Sequence, residues 1–448
     1  MKRLLKTLRD IFSIDELRGR ILFTLLMLAI FRFGSFVILP GIDSKALADS
    51  FRQQGGGGIL DLVNLFVGGA FGRGAIFALG IMPYISASII LQLMGAVVPA
   101  IQKIQKEGES GIRKINQLTR YLTVAITAVQ AAAYVVNLQT DHGNAIVADP
   151  YFFWISTIFV LTAGTLFLVW VGERITENGI GNGVSLIIAI GIIADLPLAL
   201  ITEFQANPVM IFFVEILALG LVTMAVVLLT TGTRKIPVNY ARRMVGNKMM
   251  GSMTTTARQY IPLKLNSANV MPIIFAQAIM FIPATVFQFQ IFQDSDFWMI
   301  FQQSFSDYTS VGYNIVFASL IILFSYFYTA LVVNPQEIAD QLKRQGGFIP
   351  GVKPGKQTSE FIDEVLTRIT LPGALFLAAV AIMPAIVASL GVSNQFAMFF
   401  GGTSLLIMIG VVLDTLQQIE SHLKMRHYDG LMKSGRLLSR NQVGAPTL

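Results

Sequence analysis

The chain has 448 residues, 54% hydrophobic and 13% charged, with a mean hydropathy of +0.65. Soluble domains carry about 25% charged residues, so a large water-exposed surface is excluded and the apolar side chains must face lipid or one another. With no cysteine there is no disulfide, thiol nucleophile or zinc-thiolate site, and the three histidines (His142, His422 and His427) fall outside the apolar segments.

The first apolar stretch, 21–39, is too long for the core of a secretion signal. It runs into Leu39-Pro40-Gly41 rather than a small-residue cleavage site, and reads as a membrane anchor. A bilayer core takes about 20 mainly apolar residues per helix. Nine more segments meet or approach that length: 75–98, 118–138, 152–171, 183–203, 209–231, 270–289, 313–333, 369–390 and 398–419. The expectation is an all-α integral membrane protein of ten transmembrane helices.

Lys and Arg set the orientation. They crowd the amino terminus (Lys2, Arg3, Lys6, Arg9, Arg18, Arg20), the second loop (Lys103, Lys106, Arg113, Lys114), two long loops at about 232–266 and 334–368, and the tail. The alternate segments 139–151, 204–208, 290–312 and 391–397 contain neither residue. Both termini are therefore expected in the cytoplasm, which agrees with an even number of spans. Dividing the chain at 203/204 gives halves 1–203 and 204–448 of five spans each. An odd number per half permits, without establishing, an inverted repeat.

Between the first two spans, Gly55-Gly56-Gly57-Gly58 precedes a moderately apolar, glycine-rich piece at about 59–74, too short to cross. Two readings stay open at this point. It is an interfacial helix on the outer surface, or a re-entrant segment, which membrane depth allows only inside protein or a water-filled cavity.

Few ionisable residues lie within spans: Arg32, Asp195, Glu215 and Asp414. A charge at mid-bilayer costs at least ~2.5–3.5 kcal/mol. Asp195, Glu215 and Asp414 sit near predicted ends, close to water. Arg32 is deeper, and a snorkelling or structural role, bonded to carbonyls of a neighbouring helix, fits it. Gly179-Ile180-Gly181-Asn182-Gly183 lacks the lysine of a phosphate-binding loop and joins two spans. No catalytic set, metal site or cofactor motif can be assembled, which argues against an enzyme. A secondary transporter is the rival reading, and the lack of central carboxylates and the long basic loops weigh against it.

Particular words of the sequence carry a resemblance. Phe77-Ala78-Leu79-Gly80-Ile81-Met82-Pro83-Tyr84-Ile85-Ser86, Phe31-Arg32-Phe33-Gly34-Ser35, Lys106-Glu107-Gly108-Glu109-Ser110-Gly111 and Ile175-Thr176-Glu177-Asn178-Gly179 stand in the first half. Pro262-Leu263-Lys264-Leu265-Asn266, Phe327-Tyr328-Thr329-Ala330-Leu331 and Phe400-Gly401-Gly402-Thr403-Ser404 follow in order. Together they resemble the SecY family, the central subunits of the bacterial Sec translocon.

The resemblance implies two five-helix halves around a central pore that passes unfolded polypeptides and opens sideways to lipid. It implies a constriction of Ile81, Ile85, Val184, Ile188, Ile274 and Ile407. It turns 59–74 into a plug, with Leu62, Asn64, Phe66, Gly68, Gly69 and Arg73 as its working residues. It implies the small membrane subunits SecE and SecG, the SecA motor, the ribosome and preproteins with signal peptides as partners, and the bacterial inner membrane as location. The basic loops would dock motor or ribosome through Arg242, Arg243, Lys248, Lys264, Lys343, Arg344, Lys353 and Lys356. Two departures stand out. Val184 is smaller than the usual isoleucine, and Lys353 replaces an arginine, keeping charge but losing the planar fork.

Overall fold

The computed structural model describes residues 14–53, 59–141, 143–147, 149–240, 259–266, 270–288 and 307–441. In the first part of the chain the helices are α1 (Asp15–Gly34), α2 (Ser44–Gln53), α3 (Ile59–Phe66), α4 (Met82–Val97), α5 (Pro99–Lys106), α6 (Glu109–Asp141), α7 (Pro150–Asn178) and α8 (Gly183–Ala206). Then come α9 (Val209–Thr231), strands β1 (Thr233–Tyr240) and β2 (Gln259–Lys264), α10 (Met271–Gln288) and α11 (Val311–Val332). The chain continues through α12 (Pro335–Arg344), β3 (Gly347–Phe348), α13 (Lys356–Ser389), α14 (Asn394–Ala397) and α15 (Gly402–Asn441).

Each of the ten expected spans falls on a helix. Among the described residues, seven helices are long and apolar enough to cross a membrane, or eight with the bent pair α4–α5 counted as one. That pair turns by 104° at Val98. The residue before a proline is pushed out of the α region; Val98, before Pro99, is extended at φ −94° and ψ 113°. α1 carries Arg18, Arg20 and Arg32 within 20 residues, and α10, at 18 residues, is shorter than each of the seven.

Packing separates two compact units: residues 1–54, 63–195 and 410–448, and residues 55–62 and 196–409. The boundary falls inside α8 beside Pro197, ahead of the 203/204 division.

In the first unit, α6 packs against α4 and α7. Arg120 on α6 grips Glu173 on α7 with two parallel bonds, Nε to Oε1 at 3.2 Å and Nη2 to Oε2 at 2.6 Å. The glycine-rich turn before α8 proves to be a structural joint. Thr24 Oγ1 accepts from the Ile180 amide at 3.1 Å, and Gln418 Oε1 accepts from the Gly181 amide at 2.8 Å. A Cβ on Gly183 would lie 2.0 Å from the Gly172 carbonyl, so α7 and α8 meet backbone to backbone.

In the second unit, α11 packs against α10 and α13. The two long basic loops are not plain coil: β1 pairs antiparallel with β2 (Ile236 opposite Ile261) and with β3 (Asn239 opposite Phe348), in the order β2-β1-β3. Ile236 and Val238 alternate inward along β1 and join Leu263, Leu342, Ile349, Ile362, Leu366 and Ile369 in one apolar core. Strand period and helix stripe thus bury their apolar faces on each other, and a basic lobe stands on the end of α13.

Glu215 is not at water. It is buried, and Asn207 Nδ2 donates to it at 3.3 Å and to Glu203 at 2.6 Å. Glu203, on the last turn of α8, is fully enclosed and also accepts from the Ser393 hydroxyl and amide. The short α8–α9 connection folds the two helix ends together, and so covers a carboxylate that sequence position alone puts near solvent.

Candidate functional site: plug turn and aliphatic ring residues

The segment at 59–74 is a short helix followed by a tight knot of turns. α3 ends where the Gly68 amide bonds the Leu65 carbonyl (3.1 Å) and the Gly69 amide bonds the Asn64 carbonyl (2.8 Å). Gly68 and Gly69 sit at φ +64° and +78°, a left-handed region costly for residues with a Cβ. Asn64 Oδ1 accepts from the Gly72 amide at 2.8 Å, closing the knot from inside. Arg73 Nη2 reaches back to the Gly68 carbonyl at 2.5 Å.

Neighbouring elements of the first unit hold the knot in place. Arg32 on α1 donates from Nη1 to the same Gly68 carbonyl at 2.9 Å. Arg32 and Arg73 both lie over the Phe36 ring, 4.9 and 4.5 Å from its centroid. Tyr134 on α6 donates to the Phe71 carbonyl at 2.8 Å. The Leu39 amide bonds the Gly74 carbonyl, and the Ile76 amide bonds the Val37 carbonyl. A Cβ on Gly191 would fall 2.4 Å from the Phe66 carbonyl, so the knot rests directly on the α8 backbone. Of the two readings open from sequence, this one is a segment folded in among spans rather than a free surface helix.

Of the expected plug residues, Asn64, Phe66, Gly68, Gly69 and Arg73 come together in this knot. Leu62 falls in the second unit, where it lines a small cavity with Gln277, Tyr313 and Ser404. Sequence reasoning did not assign Tyr134 or Gly191 to the plug, and nothing local marks them. Arg32 was marked by its depth, and its partner is a carbonyl of the knot rather than of a helix.

The expected ring residues divide by unit. Ile81 and Ile85, one turn apart at the start of α4, are buried, and so is Ile188; Val184, one turn before Ile188 on α8, is half-buried. Each pair shares a helix face. Ile274 on α10 and Ile407 on α15 are buried in the second unit.

The expected docking residues that can be placed share the basic lobe. Lys343 and Arg344 occupy the last turn of α12, where positive charge complements the helix dipole. Lys264 ends β2, exposed Lys353 leads into α13, and Lys356 pairs with Glu360 across one turn at 3.9 Å. Arg242, Arg243 and Lys248 lie outside the described residues.

These elements define an all-α, multi-span membrane protein of the plugged-channel class. The SecY family model matches residues 75–416. The chain is 42% identical over 428 residues to the protein translocase subunit SecY of Haemophilus influenzae, covering 94% of this chain and 95% of that one. It belongs to the SecY family, whose members are channel subunits and not enzymes. Two solved structures share its fold. One, reported for the plug domain of SecY that stabilises the closed state and maintains a membrane seal, aligns with a TM-score of 0.62 at 16% identity, covering 90% of this chain and 92% of that one. The other, Sec61 in a canine ribosome-channel complex, aligns at 0.60 and 15% identity with the same coverage.

Proposed function

We propose that this chain is the pore-forming subunit of a bacterial inner-membrane translocon, passing unfolded preproteins across the bilayer and releasing apolar segments sideways into lipid. The observation that carries the reading is the knot at 63–74, an irregular backbone folded among spans. Such backbone is tolerated at membrane depth only against protein or a water-filled path. As a plug it closes that path from outside at rest.

Ile81, Ile85, Val184, Ile188, Ile274 and Ile407 form the constriction between two five-helix halves in this reading. A narrow aliphatic ring dewets and stops ions, and it offers a passing chain no hydrogen-bond partner to hold it. The side exit lies between α4 and α6 on one flank and α10 and α11 on the other. Both termini and the basic lobe face the cytoplasm. There Arg242, Arg243, Lys248, Lys264, Lys343, Arg344, Lys353 and Lys356 dock the SecA motor or the ribosome, whose RNA binds basic surfaces in a salt-dependent way. The Sec61 relative in a ribosome-channel complex supports the ribosome as partner. SecE and SecG complete the membrane part.

The test is reconstitution of the chain with SecE and SecG in vesicles, with SecA, ATP and a signal-bearing preprotein added outside. Protease-protected preprotein that needs ATP and this chain is the expected result. Protection equal to that of vesicles with SecE and SecG alone overturns the reading.

A further inference from the structure

Among the ties between the knot and its surroundings, one atom collects two charged donors. Two guanidinium groups converge on the Gly68 carbonyl, but they differ in kind. Arg73 belongs to the segment and moves with it, so its bond is internal. Arg32 belongs to α1, so its 2.9 Å bond ties the segment to a helix of the wall.

On the other side, α8 offers a bare backbone. A Cβ on Gly191 would meet the Phe66 carbonyl at 2.4 Å, closer than real Cβ atoms come, and would press on the Gly68 amide at 3.3 Å. Only glycine lets the turn sit this deep.

We infer that Arg32 and Gly191 form the latch of the plug: Arg32 is the grip and Gly191 the seat. The inference rests on reading 59–74 as the plug. Both act through the segment and touch no translocating chain, so they are positioning residues. One bond to a charged donor suits a latch, because it biases the resting state toward closure without fixing it there. An entering polypeptide must compete with that bond and the seat, together with the Tyr134 bond to the Phe71 carbonyl.

The test uses the chain assembled with its membrane partners in vesicles without preprotein. A single cysteine at Ala70, a fully buried position in the knot, reports seating through its labelling rate with a membrane-impermeant maleimide. Halide leak reports sealing. Arg32→Leu is expected to raise both by roughly ten- to a hundredfold, the range for losing a hydrogen bond to a charged group, and Gly191→Ala to raise both because its Cβ pushes the turn off its seat. Arg32→Lys raises them less than Arg32→Leu, because an ammonium still donates to the carbonyl. Gly191→Ala removes no charge, so it covers the case in which Arg32→Leu fails to assemble. A variant lacking 60–72 separates two failures. If it seals like the parent, the plug reading is wrong and the latch with it. If it leaks while Arg32→Leu and Gly191→Ala label and seal like the parent, the plug stands and the latch is overturned.

Discussion

Tyr134 on α6 donates its hydroxyl proton to the Phe71 carbonyl at 2.8 Å and meets the Phe71 ring edge-on, with centroids 4.7 Å apart. One side chain thus satisfies a backbone acceptor of the plug knot and packs on its largest apolar group. Tyr134→Phe keeps the ring contact and leaves that carbonyl with the Gly74 amide, at 3.2 Å, as its remaining partner, a loss of about 0.5–1.5 kcal/mol for the one bond removed. The resting channel should then leak ions measurably more than the parent, with the chain still assembled at normal yield. Unchanged leak would mean that this bond contributes nothing to closure.

The carboxylates at the α8–α9 turn should behave unequally. Glu203 accepts from Asn207 and Ser393, whereas Glu215 has one long bond and a buried oxygen, Oε2, without a partner. Removing a buried acceptor leaves its donors unsatisfied at a cost of about 1–3 kcal/mol, while replacing a poorly satisfied group by an apolar one can be nearly neutral. Glu203→Ala should therefore lower the thermal midpoint of the purified complex. Glu215→Leu should leave it unchanged or raise it. The opposite order would show that Glu215 is the group holding the turn.

Lys353→Glu reverses an exposed charge on the basic lobe without touching its apolar core. SecA-driven translocation in vesicles should fall severalfold, while insertion of the chain into the membrane stays normal. Normal motor-driven transport by this variant would take the 351–355 turn out of the docking surface.

The ring predicts a contrast between shape and polarity. Ile85→Leu keeps an aliphatic group of equal size and should seal. Ile85→Asn supplies hydrogen-bonding groups that wet a narrow constriction, and should raise resting conductance to small ions at least several-fold. Equal conductance in the two variants would point to packing, not dewetting, as the role of Ile85.

Much of the helical frame is legible in the sequence, because runs of about 20 apolar residues have few other uses. Segments 152–171, 183–203 and 209–231 coincide closely with α7, α8 and α9. α1 begins earlier than the apolar run, at Asp15, since arginines near a span's end can reach back to the interface. What was not legible depends on residues far apart. The pairing of Asn239 with Phe348 joins two loops that lie more than a hundred residues apart in sequence, and the short β1 alternation is too weak a signal to announce it. Nothing local marks Glu203, and Glu215 reads as close to water, because burial there comes from two helix ends folding together. At the plug, the glycines and Arg73 were legible from the local turn requirement. Tyr134 and Gly191 were not, since one is an ordinary tyrosine in a span and the other an ordinary small residue until the knot sits against them.

The measurement that bears most directly on the pore uses the chain's lack of cysteine. A single cysteine is placed at Ile274 on α10, or at exposed Ile282 on the same helix, and the complex is assembled with cysteine-free partners. A preprotein carrying one cysteine is stalled midway through transport. If the ring surrounds the path, a disulfide forms to position 274 that requires the stalled chain and shifts with its cysteine position, with little to position 282. Strong crosslinks at 282 and none at 274 would contradict it, placing the polypeptide outside the proposed ring.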